Sequence, residues 1–197
     1  MSELAATDHL GTGSDHQWRE RRRILLETGR VDSSLQVLID DAHANRRSLA
    51  TFKPSQMIDL IIEEEDEREW NPDRVRQMRE LSRQAELFND DTWRNTFALI
   101  RKLPYRFSYR FRDDSGREST LIILDWEIGA LFWNCLRSEE TEERAITKVR
   151  EMYVSRFFQT DIHLLLGTTQ AWHQVGPNPW VVIGVFPAPH IAQLDLL

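Results

Sequence analysis

Cysteine is almost missing from this chain. Cys135 is the only one in 197 residues, so no disulfide can form within the chain. It sits in the apolar run Leu131, Phe132, Trp133, away from any cationic cluster, and reads as a buried structural thiol with nothing to lower its pKa. Long hydrophobic runs are missing too. The longest, residues 128–133 and 180–188, fall far short of the ~18 residues a membrane helix needs, and the opening residues show no charged-then-apolar signal pattern. The expectation is a cytoplasmic protein without membrane contact. Positive charge is not in excess either. The formal net charge is −7, which argues against broad adhesion to nucleic acid or anionic lipid. Nor is there a Walker loop, a dinucleotide-binding glycine pattern, His-Glu-x-x-His, Gly-x-Ser-x-Gly or a pair of cysteines. Gly11-Thr12-Gly13 precedes no apolar strand. Several large enzyme classes drop out as first choices, while dispersed catalytic residues stay open.

What is present suffices for a folded core: 41% hydrophobic residues, 10% of all residues aromatic, and 29% charged. Residues 1–16 are small and polar without periodicity and read as a flexible tail. Residues 17–103 read as a helical region. Trp18, Ile24 and Leu25 lie among arginines before Gly29. Asp32 and Ser33 can cap a helix carrying Leu35, Leu38, Ile39 and Ala42 on one side. Pro54 suits the first turn of a third helix with Met57, Ile58, Ile61 and Ile62, ending in the solvated acidic run 63–67. Asn71-Pro72-Asp73 starts a fourth, with Val75, Met78, Leu81, Ala85 and Phe88 at spacings of three and four. Asn89-Asp90-Asp91 opens a fifth, which Pro104 ends.

Beyond Pro104 the period changes to two. Tyr105, Phe107, Tyr109 and Phe111 alternate with Arg106, Ser108, Arg110 and Arg112, which predicts a strand with an aromatic face and a basic one. A turn at Asp113-Asp114-Ser115-Gly116 leads to a second strand over 120–126. Helices follow over 127–136 and from Ser138, and strands over 161–169 and 180–186. The predicted fold class is therefore α+β: a helical N-terminal half, then a β-β-α-α-β-β module over 104–190 with a mostly antiparallel four-stranded sheet, and a short tail over 191–197. Successive apolar residues at 121–124, 164–166 and 181–185 leave both faces of those strands wanting cover.

Three groups of residues carry candidate chemistry. Asp125 and Glu127 lie where a strand meets a helix. His163 shares a strand face with Asp161. Two carboxylates and an imidazole are the donors of a divalent metal site or an acid–base pair. The plainer account makes Glu127 a helix-start acid, pairs Asp125 with an arginine of the first strand, and leaves His163 hydrogen-bonded. Arg106, Arg110 and Arg112, interleaved with aromatics, are candidates for RNA or single-stranded DNA binding. Against this, aromatics at every second position should point together into the core, with the arginines facing solvent or pairing with Asp125 and Asp161. Trp172, His173 and Trp180, in or beside the last hairpin loop, are candidates for partner contact.

The reading these observations favour is a small interaction or accessory/regulatory subunit without intrinsic catalysis, needing no cofactor or metal. Its partner would be another protein or a second copy of itself. The alternatives are a metal-dependent hydrolase or nuclease using Asp125, Glu127 and His163, with a divalent metal, and a nucleic-acid binder using the three arginines.

Overall fold

The computed structural model describes residues 22–27, 29–73, 75–77, 80 and 101–189. The chain divides into two compact units, residues 1–61 with 108–197, and residues 62–107. The expected tails, Trp18 of the first expected helix, and residues 78–79 and 81–100 of the fourth and fifth lie outside the described residues.

In the larger unit a π-helical turn over Arg23–Glu27 ends before Gly29. A Cβ at Gly29 would lie 2.7 Å from the Leu25 carbonyl oxygen, which leaves room only for glycine. A two-residue strand, β1 (Val31–Asp32), precedes helix α1 (Leu35–His43). The helix buries Leu35, Leu38, Ile39 and Ala42, the side the spacing predicts. Its start departs from expectation. Asp32 and Ser33 do not cap it; Ser34 occupies the cap position without a side-chain bond. The Leu35 amide donates instead to the Asp113 carboxylate at 3.1 Å.

Two strands then replace expected helix. They are β2 (Leu49–Phe52) and β3 (Gln56–Glu64). Met57, Ile58, Ile61 and Ile62 fit a helical spacing, but three of the four are β-branched isoleucines that prefer a pleated surface. Pro54 precedes the strand rather than opening a helix. The acidic run 63–67 belongs to the end of β3 and the residues after it. Among the described residues the N-terminal half is thus mixed rather than helical.

Strand β4 (Tyr105–Arg112) follows the predicted alternation except at Ser108, which is buried as well. Phe107, Tyr109 and Phe111 are buried, and Arg106, Arg110 and Arg112 are exposed. β5 (Glu118–Ile122) pairs antiparallel with β4, Tyr109 opposite Leu121. Helices α2 (Trp126–Glu139) and α3 (Glu142–Arg150) follow, then π-helical and 3-10 turns through Gln159. Strands β6 (Asp161–Thr168) and β7 (Trp180–Ala188) close the order, antiparallel with a bulge at Leu165/Leu166.

The four strands of the expected module do not share one sheet. Strands β3-β4-β5 form a three-stranded sheet, and β1-β2-β6-β7 a four-stranded one. The β4–β5 hairpin finds its partner in β3, whose spacing reads as helix, and the β6–β7 hairpin in β2 and β1, of four and two residues. Between the sheets, Ile123 bridges Val182 in parallel, and the Leu124 amide donates to the Val182 carbonyl at 2.7 Å. The core of this unit joins Phe52 and Phe111, ring centroids 5.3 Å apart, and Tyr109, whose hydroxyl donates to the Tyr153 carbonyl at 2.7 Å. The successive apolar strand residues divide by face. Leu164, Leu166 and Val182 are buried, whereas Leu124 and Ile183 remain 53% and 44% exposed.

In the smaller unit the Glu65 amide donates to the Pro104 carbonyl at 2.9 Å. Helical backbone begins at Pro72, where the Asn71 side chain accepts the Asp73 amide at 2.9 Å. This is the start signal read from Asn71-Pro72-Asp73. Among the described residues, no helix is long and apolar enough to cross a membrane.

Candidate functional site: a neutral polar cleft at the end of the β2–β6 ladder

The β2–β6 pairing runs from Phe52–Leu164 to Leu49–Gly167, and the Thr168 amide closes it by donating to the Ser48 carbonyl at 3.0 Å. At that end lies an open cavity of about 570 Å³. It is lined by Asn45, Ser48, Thr168, Gln170, Ala171, His173, Gln174 and Val175. None of these side chains is a carboxylate, an ammonium or a guanidinium. The lining is amide, hydroxyl and imidazole with an apolar edge.

Its walls are held from both sides. After α1 the chain turns through Asn45, left-handed at φ 54°; asparagine tolerates that region when a helix ends. The next residues are fixed by charge. Arg47 donates to both oxygens of Asp32, at 2.7 and 3.1 Å, and to Asp41 at 2.7 Å. The Asp32 hydrogen bond, with help from Asp41, raises the Arg47 pKa further. The Arg46 hydrogen bond, then that of Arg47, holds the Asp41 carboxyl below its usual range despite opposing desolvation.

The opposite wall is the β6–β7 loop. It coils back on itself: the Trp172 and His173 amides both donate to the Thr169 carbonyl, and the Gly176 amide donates to that of Trp172. A Cβ at Gly176 would sit 3.1 Å from the Trp172 carbonyl oxygen, so the tight coil favours glycine. Two histidines tie this loop to the turn after α1. His43 Nε2–H donates to the Gly176 carbonyl at 2.7 Å. His173 makes two contacts, Nδ1 to Thr168 Oγ1 at 2.7 Å and Nε2 to Asn45 Oδ1 at 3.1 Å.

Of the sequence candidates, His173 lines the cleft. Trp172, 58% exposed, stands beside it in the loop, and Trp180 is buried at 1%. Trp180 therefore presents no surface for a partner. Its place opposite Thr168 in the β6–β7 ladder explains this.

Asp125, Glu127 and His163 are held separately. Asp125 occupies the cap position of α2 and accepts the Glu127 amide at 2.9 Å. Glu127 is an exposed acid of the first turn. His163 is buried, and its Nδ1–H donates to the Asp161 carbonyl at 2.9 Å. Desolvation is the main cause of its lowered pKa, partly opposed by Asp161. Asp161 is held by Lys53 at 2.7 Å and Arg22 at 3.3 Å. Among the described residues, no group of three His, Cys, Asp or Glu side chains is placed to hold a metal ion.

The arginines of β4 face solvent, one of the two expected placements, and pair there with glutamates instead of Asp125 or Asp161. Arg106 pairs with Glu63, and both Arg110 and Arg112 pair with Glu118, at 3.1–3.5 Å. Asp125 and Asp161, their expected partners, are occupied elsewhere. Cys135 is half-buried, with its thiol pKa raised chiefly by desolvation, as its apolar surroundings suggest.

Asn45, Ser48 and Thr168 escaped the sequence reading. Asn45 and His173 meet across 128 positions, and no local pattern announces such a contact.

Two small sheets, helices and a neutral cleft define a mixed α/β protein. The chain belongs to the family described as Domain of unknown function (DUF8757), whose model matches residues 31–196. No curated protein and no solved structure matches it.

Proposed function

We propose that this chain is an interaction protein, an accessory subunit that takes an extended segment of a partner protein into the cleft beside His173. The observation that carries this reading is the composition of the cleft and its edge. Asn45, Gln170 and Gln174 offer side-chain amides, each both donor and acceptor, which match the main-chain groups of a polypeptide. Val175 in the lining and Leu49 next to Ser48 are 75% and 67% exposed, and would take the partner's apolar side chains. The walls are tied down by His43, His173 and Arg47, so little ordering entropy opposes binding.

Selection from a display library of unstructured peptides tests this. Enriched peptides should bind the purified chain and lose binding to Val175→Asp and Leu49→Asp variants whose thermal melts are unchanged. Enrichment no greater than on the Val175→Asp variant would refute the reading.

A further inference from the structure

We propose that Thr168, His173 and Asn45 form a nucleophile–base–orienter relay, giving this cleft acyl-transfer activity toward esters. This goes beyond partner binding and does not depend on it.

Proton placement follows from the contacts. Asn45 presents its side-chain oxygen, an acceptor only, to His173 Nε2 at 3.1 Å. Nε2 therefore carries the hydrogen. Nδ1 is left with its lone pair facing the Thr168 hydroxyl at 2.7 Å, so Thr168 Oγ1–H donates to it. This is the arrangement an activated hydroxyl needs: a base within hydrogen-bond reach, with its tautomer and ring orientation fixed by a third group.

The relay is accessible. All three residues line the same open cavity, of about 570 Å³. Thr168 is the last residue of β6, and its amide is fixed to the Ser48 carbonyl. Its branched Cβ restricts χ1, which limits where Oγ1 can point. Ser48, Gln170 and Gln174 line the same space, so the cavity contains hydroxyl and amide donors of the kind a developing oxyanion requires.

The step balances without a cofactor. Thr168 Oγ1 bonds to the acyl carbon as its proton passes to His173 Nδ1. The bond from that carbon to the leaving oxygen breaks, and His173 returns the proton to the departing alcohol. Water then attacks the threonyl ester with His173 again taking the proton and returning it to Oγ1. The net reaction is ester plus water to acid plus alcohol. Uncharged lining fits a neutral acyl group better than a phosphoryl one.

The test is hydrolysis of p-nitrophenyl acetate with intact-mass analysis and peptide mapping of the protein. An acetyl adduct on Thr168 is expected. Thr168→Ala and His173→Gln should lower nitrophenolate release by about 100-fold or more, the scale of a lost nucleophile or general base. Thr168→Ser should keep activity. Circular dichroism melts of each variant confirm folding. Equal release from wild type and Thr168→Ala, or an adduct only at other residues, overturns the proposal. Peptide selection reads binding and nitrophenolate release with the Thr168 adduct reads chemistry, so failure of either idea is read separately.

Discussion

The amide of Leu35, first residue of α1, donates to the carboxylate of Asp113, which lies in the β4–β5 turn. A helix start is thus capped from 78 positions away. The same carboxylate accepts from Ser115 at 2.6 Å and the Arg117 amide at 3.0 Å. Desolvation pushes the Asp113 pKa up, but these donors outweigh it and leave the group below its ordinary 3.8. Replacing Asp113 with Ala should cost about 1–3 kcal/mol in urea unfolding, the range for lost caps and stranded buried donors. A depressed folded pKa stabilises above the unfolded value and is lost as pH falls through the folded one. The wild type's advantage over Asp113→Ala should therefore hold at pH 7 and shrink below about pH 4.

His163 predicts a second, separate pH response. Its folded pKa lies below the ordinary 6.5, chiefly from desolvation; the charges facing it are Asp161, Lys53 and Arg22. Below about pH 6.5 the unfolded chain takes up the proton first, so stability falls as the medium is acidified. Urea midpoints between pH 7.5 and 5 should decline in the wild type and decline less in His163→Gln. Equal slopes would assign the response to other groups.

Thr169 offers a gain. Its side-chain hydroxyl is buried without a hydrogen-bond partner. Valine has nearly its shape without the stranded group, so Thr169→Val should raise stability by about 1 kcal/mol. A thermal melt shifted downward would mean that the hydroxyl is satisfied in solution.

Legibility in the sequence followed the range of the forces involved. The α1 stripe, the β4 alternation and the Asn71-Pro72 helix start depend on neighbours within a few positions, and all three are present. Strand β3 was misread because Met57, Ile58, Ile61 and Ile62 satisfy a helical spacing, and only the β-branched content dissents. The sheet partition is not legible because β3 reads as helix and β1 and β2 are too short to carry a period. Asp125 and His163 looked like chemistry because carboxylate and imidazole serve equally as cap, buried hydrogen-bond donor or ligand; only their surroundings decide. His173 was visible as a loop residue, but its partners Thr168 and Asn45 were not, since one lies in the preceding strand and the other beyond α1.

The hydrogen bond between Glu65 and Pro104 has a consequence for how chains of this kind can vary. It brings the two ends of residues 66–103 together beyond neighbouring strands β3 and β4. The pairing of β3 with β4 is thus closed by groups at residues 65 and 104, without help from the chain between them. That intervening segment can be exchanged across generations, or cut to a tight turn by an engineer, while β3 stays paired with β4.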